Sequence, residues 1–154
     1  MTDVVVFLVG AQRYLLPLAK VIEIAPMVDI TPIPGVGSPI VGYVQYRGTP
    51  TAVVDFGARV GTTREQEVDL NHHLIVTALS DRRVALLVDH VLDLDRVDST
   101  PEPLERSASP VAGIVPDADG NLFVVDLEQV LSLEERRSVA AAMAALSTAA
   151  SVQS

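Results

Sequence analysis

Apolar residues in this chain fall in short runs rich in valine and isoleucine, separated by turn chemistry, a rhythm that predicts strands. Val4–Val9 ends at Gly10-Ala11-Gln12-Arg13 and is followed by Tyr14-Leu15-Leu16-Pro17-Leu18, a first hairpin. Val21-Ile22-Glu23-Ile24 and Val28–Ile33 are further extended candidates, and the prolines of Thr31-Pro32-Ile33-Pro34-Gly35 exclude a helix there. Ile40–Tyr46 runs into Arg47-Gly48 and returns as Thr49–Val54. Gly48 supplies a positive φ for a tight reversal, and Pro50 suits a strand that starts at an edge. Leu74–Leu79 and Val84–Val88 flank Ser80-Asp81-Arg82-Arg83 as a third hairpin. Val111–Val115 and Leu122–Val125 flank Asp117-Ala118-Asp119-Gly120-Asn121 as a fourth.

Between the second and third hairpins, residues 57–71 are polar and charged and read as a loop between two halves. Only the C-terminus carries a helical signature. Ser132-Leu133-Glu134-Glu135 fits a capping box, and Val139, Met143 and Leu146 recur at helical spacing before an expected fraying over Ser147–Ser154. Strands at intervals of roughly 8–12 residues predict a small mainly β architecture of barrel or sandwich type over residues 1–131, then a C-terminal helix in 132–154. No internal repeat stands out by eye.

Composition narrows the function classes. The 154 residues are 49% hydrophobic, enough for a buried core and against disorder. Eleven Lys+Arg against 20 Asp+Glu give a net charge of −9, which repels a phosphate backbone and argues against a nucleic-acid partner. The absence of cysteine removes disulfides, zinc–thiolate sites and thiol chemistry. The N-terminal apolar run lacks a basic flank and is too short to span a bilayer, so the expectation is a cytoplasmic protein with no direct membrane insertion.

Candidate chemistry is sparse. Asp117–Asn121 looks like the start of a calcium loop whose twelfth position is Glu128, but the intervening Leu122–Val125 is a strand run and Asp119-Gly120 is a hairpin dipeptide. The turn reading prevails, and no metal or cofactor is expected. His72 and His73 are adjacent, so an extended backbone points them to opposite faces, and with His90 they read as surface or partly buried imidazoles. In Asp89–Asp95 the alternation places Asp89, Val91, Asp93 and Asp95 on one face, which reads as a solvated face that would also blunt edge-to-edge aggregation, ahead of an acidic patch for a basic partner. No nucleophile stands in a catalytic context, and Gly35-Val36-Gly37 precedes a strand rather than a phosphate-binding helix. The expected class is a non-catalytic one. Two charges interrupt apolar surroundings, Glu23 and Arg47; each sits either on an outward face or at a surface that binds something, and a Glu23–Arg47 salt bridge would pair the two.

The chain resembles the CheW family of bacterial chemosensory coupling proteins from about Val5 to Leu131. The resemblance is carried by Tyr14–Ile24, Gly42–Asp55, Leu87–Val91, and Val111–Ile114 leading to Phe123–Leu127, four blocks in family order. It implies two SH3-like five-stranded β-barrels around a shared apolar interface, with short helices. It also implies an adaptor that joins the cytoplasmic tip of methyl-accepting chemoreceptors to the regulatory domain of a CheA-type histidine kinase, reaching the membrane only through receptor arrays. Val21, Glu23, Gly42, Arg47 and Val91 match family positions implicated in receptor coupling.

The departures lie at Tyr43, Gln45 and Tyr46, where the family usually carries a small or aliphatic residue and an Asn, and at Asp55-Phe56-Gly57, where Asp-Leu-Arg is frequent. Tyr43 and Tyr46 add contact area of the kind interfaces use and join the candidate receptor- and kinase-binding residues. They imply a coupling protein tuned to a particular receptor or kinase set, as in gliding or pilus motility. The alternative within the resemblance is a decoy or regulator that binds only one of the two partners.

Overall fold

A computed structural model of the chain describes residues 2–61, 71–97, 102–103, 109–117 and 120–153. In chain order the strands are β1 (Thr2–Val9), β2 (Gln12–Pro17), β3 (Val21–Pro26), β4 (Ile40–Tyr46), β5 (Thr49–Asp55), β6 (His73–Ala78), β7 (Arg83–Val88), β8 (His90–Val97), β9 (Glu102–Pro103), β10 (Val111–Asp117) and β11 (Gly120–Val125). The helices are α1 (Phe56–Val60) and α2 (Leu133–Gln153), with 3-10 turns at Leu18–Lys20 and Leu127–Gln129.

The strands form two sheets, ordered β8-β1-β2-β11-β10-β9 and β3-β6-β7-β5-β4. Each sheet joins antiparallel ladders through one parallel pair, β2 with β11 and β5 with β7. The expected mainly β, two-lobed architecture with a C-terminal helix is present, but as open ladders rather than closed five-stranded barrels: the sheets hold six and five strands among the described residues, the sixth being the two-residue β9.

Both faces of both sheets are covered, which is why the strands read as nearly continuous apolar runs. Odd and even positions part cleanly. On β1, Phe7 and Val9 face a central cluster while Val4 and Val6 face an outer one. On β2, Tyr14 and Leu16 face the centre and Leu15 the outside. The second sheet repeats this, with Ile75, Leu86 and Val54 inward and Leu74, Leu87 and Val53 in its own outer cluster. The central cluster is the apolar interface shared by the two lobes. All three phenylalanines reach its seam: Phe56 packs edge-on to Phe7 at 5.3 Å and to Tyr14 at 4.9 Å, and Tyr14 tilts toward Phe123 at 6.0 Å.

Several expectations are corrected. Residues 57–60 belong to α1, because Asp55 caps it by accepting from the Ala58 N–H at 3.3 Å and Phe56 anchors it in the core; residues 62–70 of the expected loop lie outside the described set. Val28–Ile33 makes no strand; its one ladder contact is the bridge of Thr31 to Tyr43. Residues 118 and 119 of the fourth turn lie outside the described residues, but Asp117 pairs with Gly120 as a hairpin requires. A bulge between Val91 and Asp93 resets the alternation of β8, so Val91 packs on the central cluster while Asp93 and Asp95 share a face with Val97.

The two lobes also carry an internal repeat that the eye passes over. Pro39, Gly42, Val53-Val54-Asp55 recur at one constant offset as Pro110, Gly113, Val124-Val125-Asp126. The structural roles recur with them. The Asp55 N–H donates to the Pro39 carbonyl at 2.8 Å, and the Asp126 N–H to the Pro110 carbonyl at 2.8 Å. Both hairpins bulge just before the glycine, and both aspartates cap the helical turn that follows.

The helix α2 starts with the expected capping box: Glu135 N–H donates to Ser132 Oγ at 3.1 Å and Ser132 N–H to Glu135 Oε1 at 2.7 Å. Val139 is buried in the central cluster with Met143 against it, and the helix continues to Gln153 where fraying from Ser147 was expected. A polar staple fixes its base. Arg136 Nη2 donates to the Glu128 carbonyl at 2.8 Å and to Glu128 Oε2 at 3.1 Å, while the Ser80 N–H donates to Glu128 Oε1 at 2.8 Å.

Burial pushes the Glu128 carboxyl up, but the bonds from Ser80 and Arg136 outweigh it and hold the group below its ordinary 4.5. A carboxyl lowered on folding stabilises above its unfolded value and loses that contribution as pH falls through the folded one. Glu128→Gln should therefore lower Tm at neutral pH by about 2 °C, the half-exposed staple being worth less than about 1 kcal/mol. The gap to the parent should close below pH 4.5. Thermal melts across that range check it, and a pH-independent gap would refute the charged staple.

Candidate functional site

A two-residue hairpin turn builds the site. Tyr46 pairs with Thr49 across Arg47-Gly48, and both turn residues have positive φ, 50° and 79°. That is the type I′ geometry, which suits Gly48 and strains Arg47 mildly. The strain is held because the side chain is engaged. Arg47 Nη2 donates to Glu23 Oε1 at 3.1 Å, and the Tyr46 hydroxyl donates to the same oxygen at 2.9 Å. The Arg47 guanidinium also lies over the Tyr46 ring at 5.1 Å, with Arg83 over it at 5.9 Å.

One carboxylate thus gathers a phenol and a guanidinium from the opposite edge of the sheet, since β3 and β4 are its two outermost strands. Burial first, and then the bond to Glu23, raise the Tyr46 phenol above its ordinary value against the opposing pull of Arg47 and Arg83. Tyr46 therefore stays a neutral donor at physiological pH. The pair itself is at the surface, with Arg47 65% and Glu23 42% exposed. Beside it on β3, Ile22 and Ile24 stand exposed while Val21, Glu23 and Ala25 are half-buried.

The other predicted positions are placed differently. Gly42 is buried on β4 under the Thr31 backbone, where an added Cβ would lie 2.3 Å from the Thr31 carbonyl oxygen. Tyr43 is half-buried and exchanges backbone bonds with Thr31 at 2.9 and 2.8 Å. Val21 and Val91 are half-buried and packed against the central cluster. Tyr46 does not offer the contact area expected of it: its ring is buried with Val44, Val53 and Leu87, and its hydroxyl serves Glu23. Arg83 was missed, because only the parallel pairing of β5 with β7 brings the start of β7 near Tyr46, and no local sequence signal announces it.

The remaining candidates are structural. Glu128, the would-be twelfth calcium ligand, is taken by Ser80 and Arg136. His72 is buried with Nε2 3.5 Å from Asp89 Oδ1, while His73 turns instead to His90, ring centroids 6.5 Å apart. Among the described residues no group of three or more His, Asp or Glu is placed to hold a metal ion, and no helix is long and apolar enough to cross a membrane.

Two SH3-like lobes on one apolar seam, with a charged and aromatic cluster at an exposed sheet edge, define a two-lobed β domain. The solved scaffolding protein TtCheW from Thermoanaerobacter tengcongensis has the same fold, with a TM-score of 0.79 at 24% identity, covering 87% of this chain and 94% of that one. A CheW-like domain model matches residues 3–135, and the chain belongs to the CheW-like family. The chemotaxis protein CheW of Rhizobium meliloti (strain 1021) is 31% identical over 144 residues, 88% of this chain and 91% of that protein. CheW of Bacillus subtilis (strain 168) is 27% identical over 140 residues, 87% and 89%.

Proposed function

We propose that this chain is a cytoplasmic, non-catalytic adaptor coupling the cytoplasmic tips of chemoreceptors to the regulatory domain of a CheA-type histidine kinase. The observation that carries it is the Glu23–Tyr46–Arg47 cluster, ordered before any partner arrives on an edge strand whose other face carries exposed Ile24. A fixed charge on one face of an edge strand and an exposed apolar side chain on the other leave that edge open to an amphipathic helix. Arg47 and Glu23 contact the partner directly, and Val21, Tyr43 and Val91 shape the adjoining surface. Gly42 and Tyr46 act through geometry, one by admitting the Thr31 segment and the other by orienting Glu23. Tyr43, the less buried of the two tyrosines, tunes the choice of receptor set.

Co-purification with a receptor tip helix and a kinase regulatory domain, separately and together, tests this. An adaptor retains both in one complex. Retention of only one identifies a decoy or regulator, and retention of neither defeats both ideas.

A further inference from the structure

The strand β8 is the outermost of the six-stranded sheet, so half of its backbone N–H groups face away from β1. Which half follows from the first hairpin. Val9 pairs with Gln12 across a two-residue turn, so odd positions of β1 direct their backbone bonds to β2 and even positions direct theirs to β8. Val4 and Val6 pair with Asp95 and Asp93. The N–H groups of Asp93 and Asp95 therefore face β1, and those of Leu94 and Arg96 face out.

Beyond the bulge, both outward N–H groups are already occupied. Leu94 donates to Asp93 Oδ1 at 2.8 Å and Arg96 donates to Asp95 Oδ1 at 2.7 Å. Each aspartate folds its carboxylate over the strand edge and takes the N–H of the next residue. Without them the edge would suit sheet extension, since Leu92 and Leu94 are 48% and 58% exposed and β8 is eight residues long. Arg96, the next cation along the strand, is held by Asp3 at 2.9 Å and leaves the carboxylates their charge.

We propose that Asp93 and Asp95 are guard residues that withhold the β8 edge from pairing with β8 of a second copy of this chain. A second copy is the occupant argued for because twofold antiparallel pairing sets β8 against itself. It joins exposed leucines while placing carboxylates of like sign near one another, which disfavours pairing further.

Light scattering behind size exclusion over a concentration series, with circular dichroism to confirm the fold, tests the guard. The Asp93→Ala/Asp95→Ala chain should self-associate about tenfold more tightly than the parent or better. The Asp93→Asn/Asp95→Asn chain keeps an Oδ1 acceptor but loses the like charges, so it should associate more than the parent and clearly less than the Ala chain. Parental mass for the Ala chain, or equal association of the Asn chain, overturns the capping. Amide exchange on the parent supplies a readout that needs no variant. Outward-facing Leu94 and Arg96 should be protected, and exchange at unfolded-chain rates refutes the proposal.

Discussion

Gly42→Ala should unfold the chain at markedly lower denaturant, the largest stability loss expected of any single substitution at the candidate site. The glycine sits at φ +154° in a bulge of β4, with the Thr31 backbone laid directly across it. An added Cβ would meet the Thr31 oxygen at 2.3 Å and its carbonyl carbon at 2.8 Å, both backbone atoms. The segment can lift only by giving up the reciprocal bonds between Thr31 and Tyr43. Two net hydrogen bonds of about 1 kcal/mol each, with strain of about 1–3 kcal/mol at the glycine, amount to about 3–5 kcal/mol. That is a large share of a typical stability of about 5–15 kcal/mol. Urea unfolding checks it, the midpoint falling at constant slope. An unmoved midpoint would show that the Thr31 crossing is not fixed. If the midpoint falls as expected, lost coupling in a Gly42 variant is a fold effect, to be kept apart from lost contact.

Arg47 should behave in the opposite way. Its side chain is 65% exposed and its ion pair is worth about 0–1 kcal/mol to the fold. The informative substitution is Arg47→Asn, because Asn tolerates the φ of 50° that an alanine would hold at a cost. Tm should stay within a few degrees of the parent, while capture of the receptor tip helix or the kinase domain falls about tenfold or more. Loss of a charged anchor at a desolvated interface costs about 2–5 kcal/mol. Arg47→Glu should be worse, since it sets a second carboxylate beside Glu23. Titration calorimetry with each partner, run beside thermal melts, separates the cases. A collapsed Tm with intact binding would make the cluster a structural clasp.

What could be read from the sequence follows the range of the interactions. The Arg47-Gly48 turn and the Ser132–Glu135 capping box are encoded within a few residues, and each is where the pattern placed it, while the fourth hairpin forms with Gly120 and Asn121 already in the returning strand rather than in the turn. The one-residue bulge at Leu92 leaves no mark in composition, yet it turns Asp93 and Asp95 away from the face of Val91. The parallel pairings join segments far apart in the chain, so the placement of Arg83 against Tyr46 was hidden. Tyr46 shows the limit most plainly. A tyrosine in a strand ending at a charged turn reads equally well as an interface residue or as a core residue with a wet hydroxyl, and only the Glu23 bond decides. Phe56 carries the same lesson. Its departure from the family pattern concerns the seam between lobes, where it meets Phe7 and Tyr14.

The two lobes are not equivalent in the order in which a chain is made. The five-stranded sheet is drawn from one continuous stretch, β3 to β7, whereas the six-stranded sheet combines β1 and β2 with β8 to β11. During synthesis the first lobe has all its strands once Val88 has emerged. The leading hairpin must wait for β8 to cover one flank and β11 the other. Until then Phe7, Tyr14 and Leu16 have only the finished lobe to lie against, so the central seam acts as the template on which the outer sheet is completed.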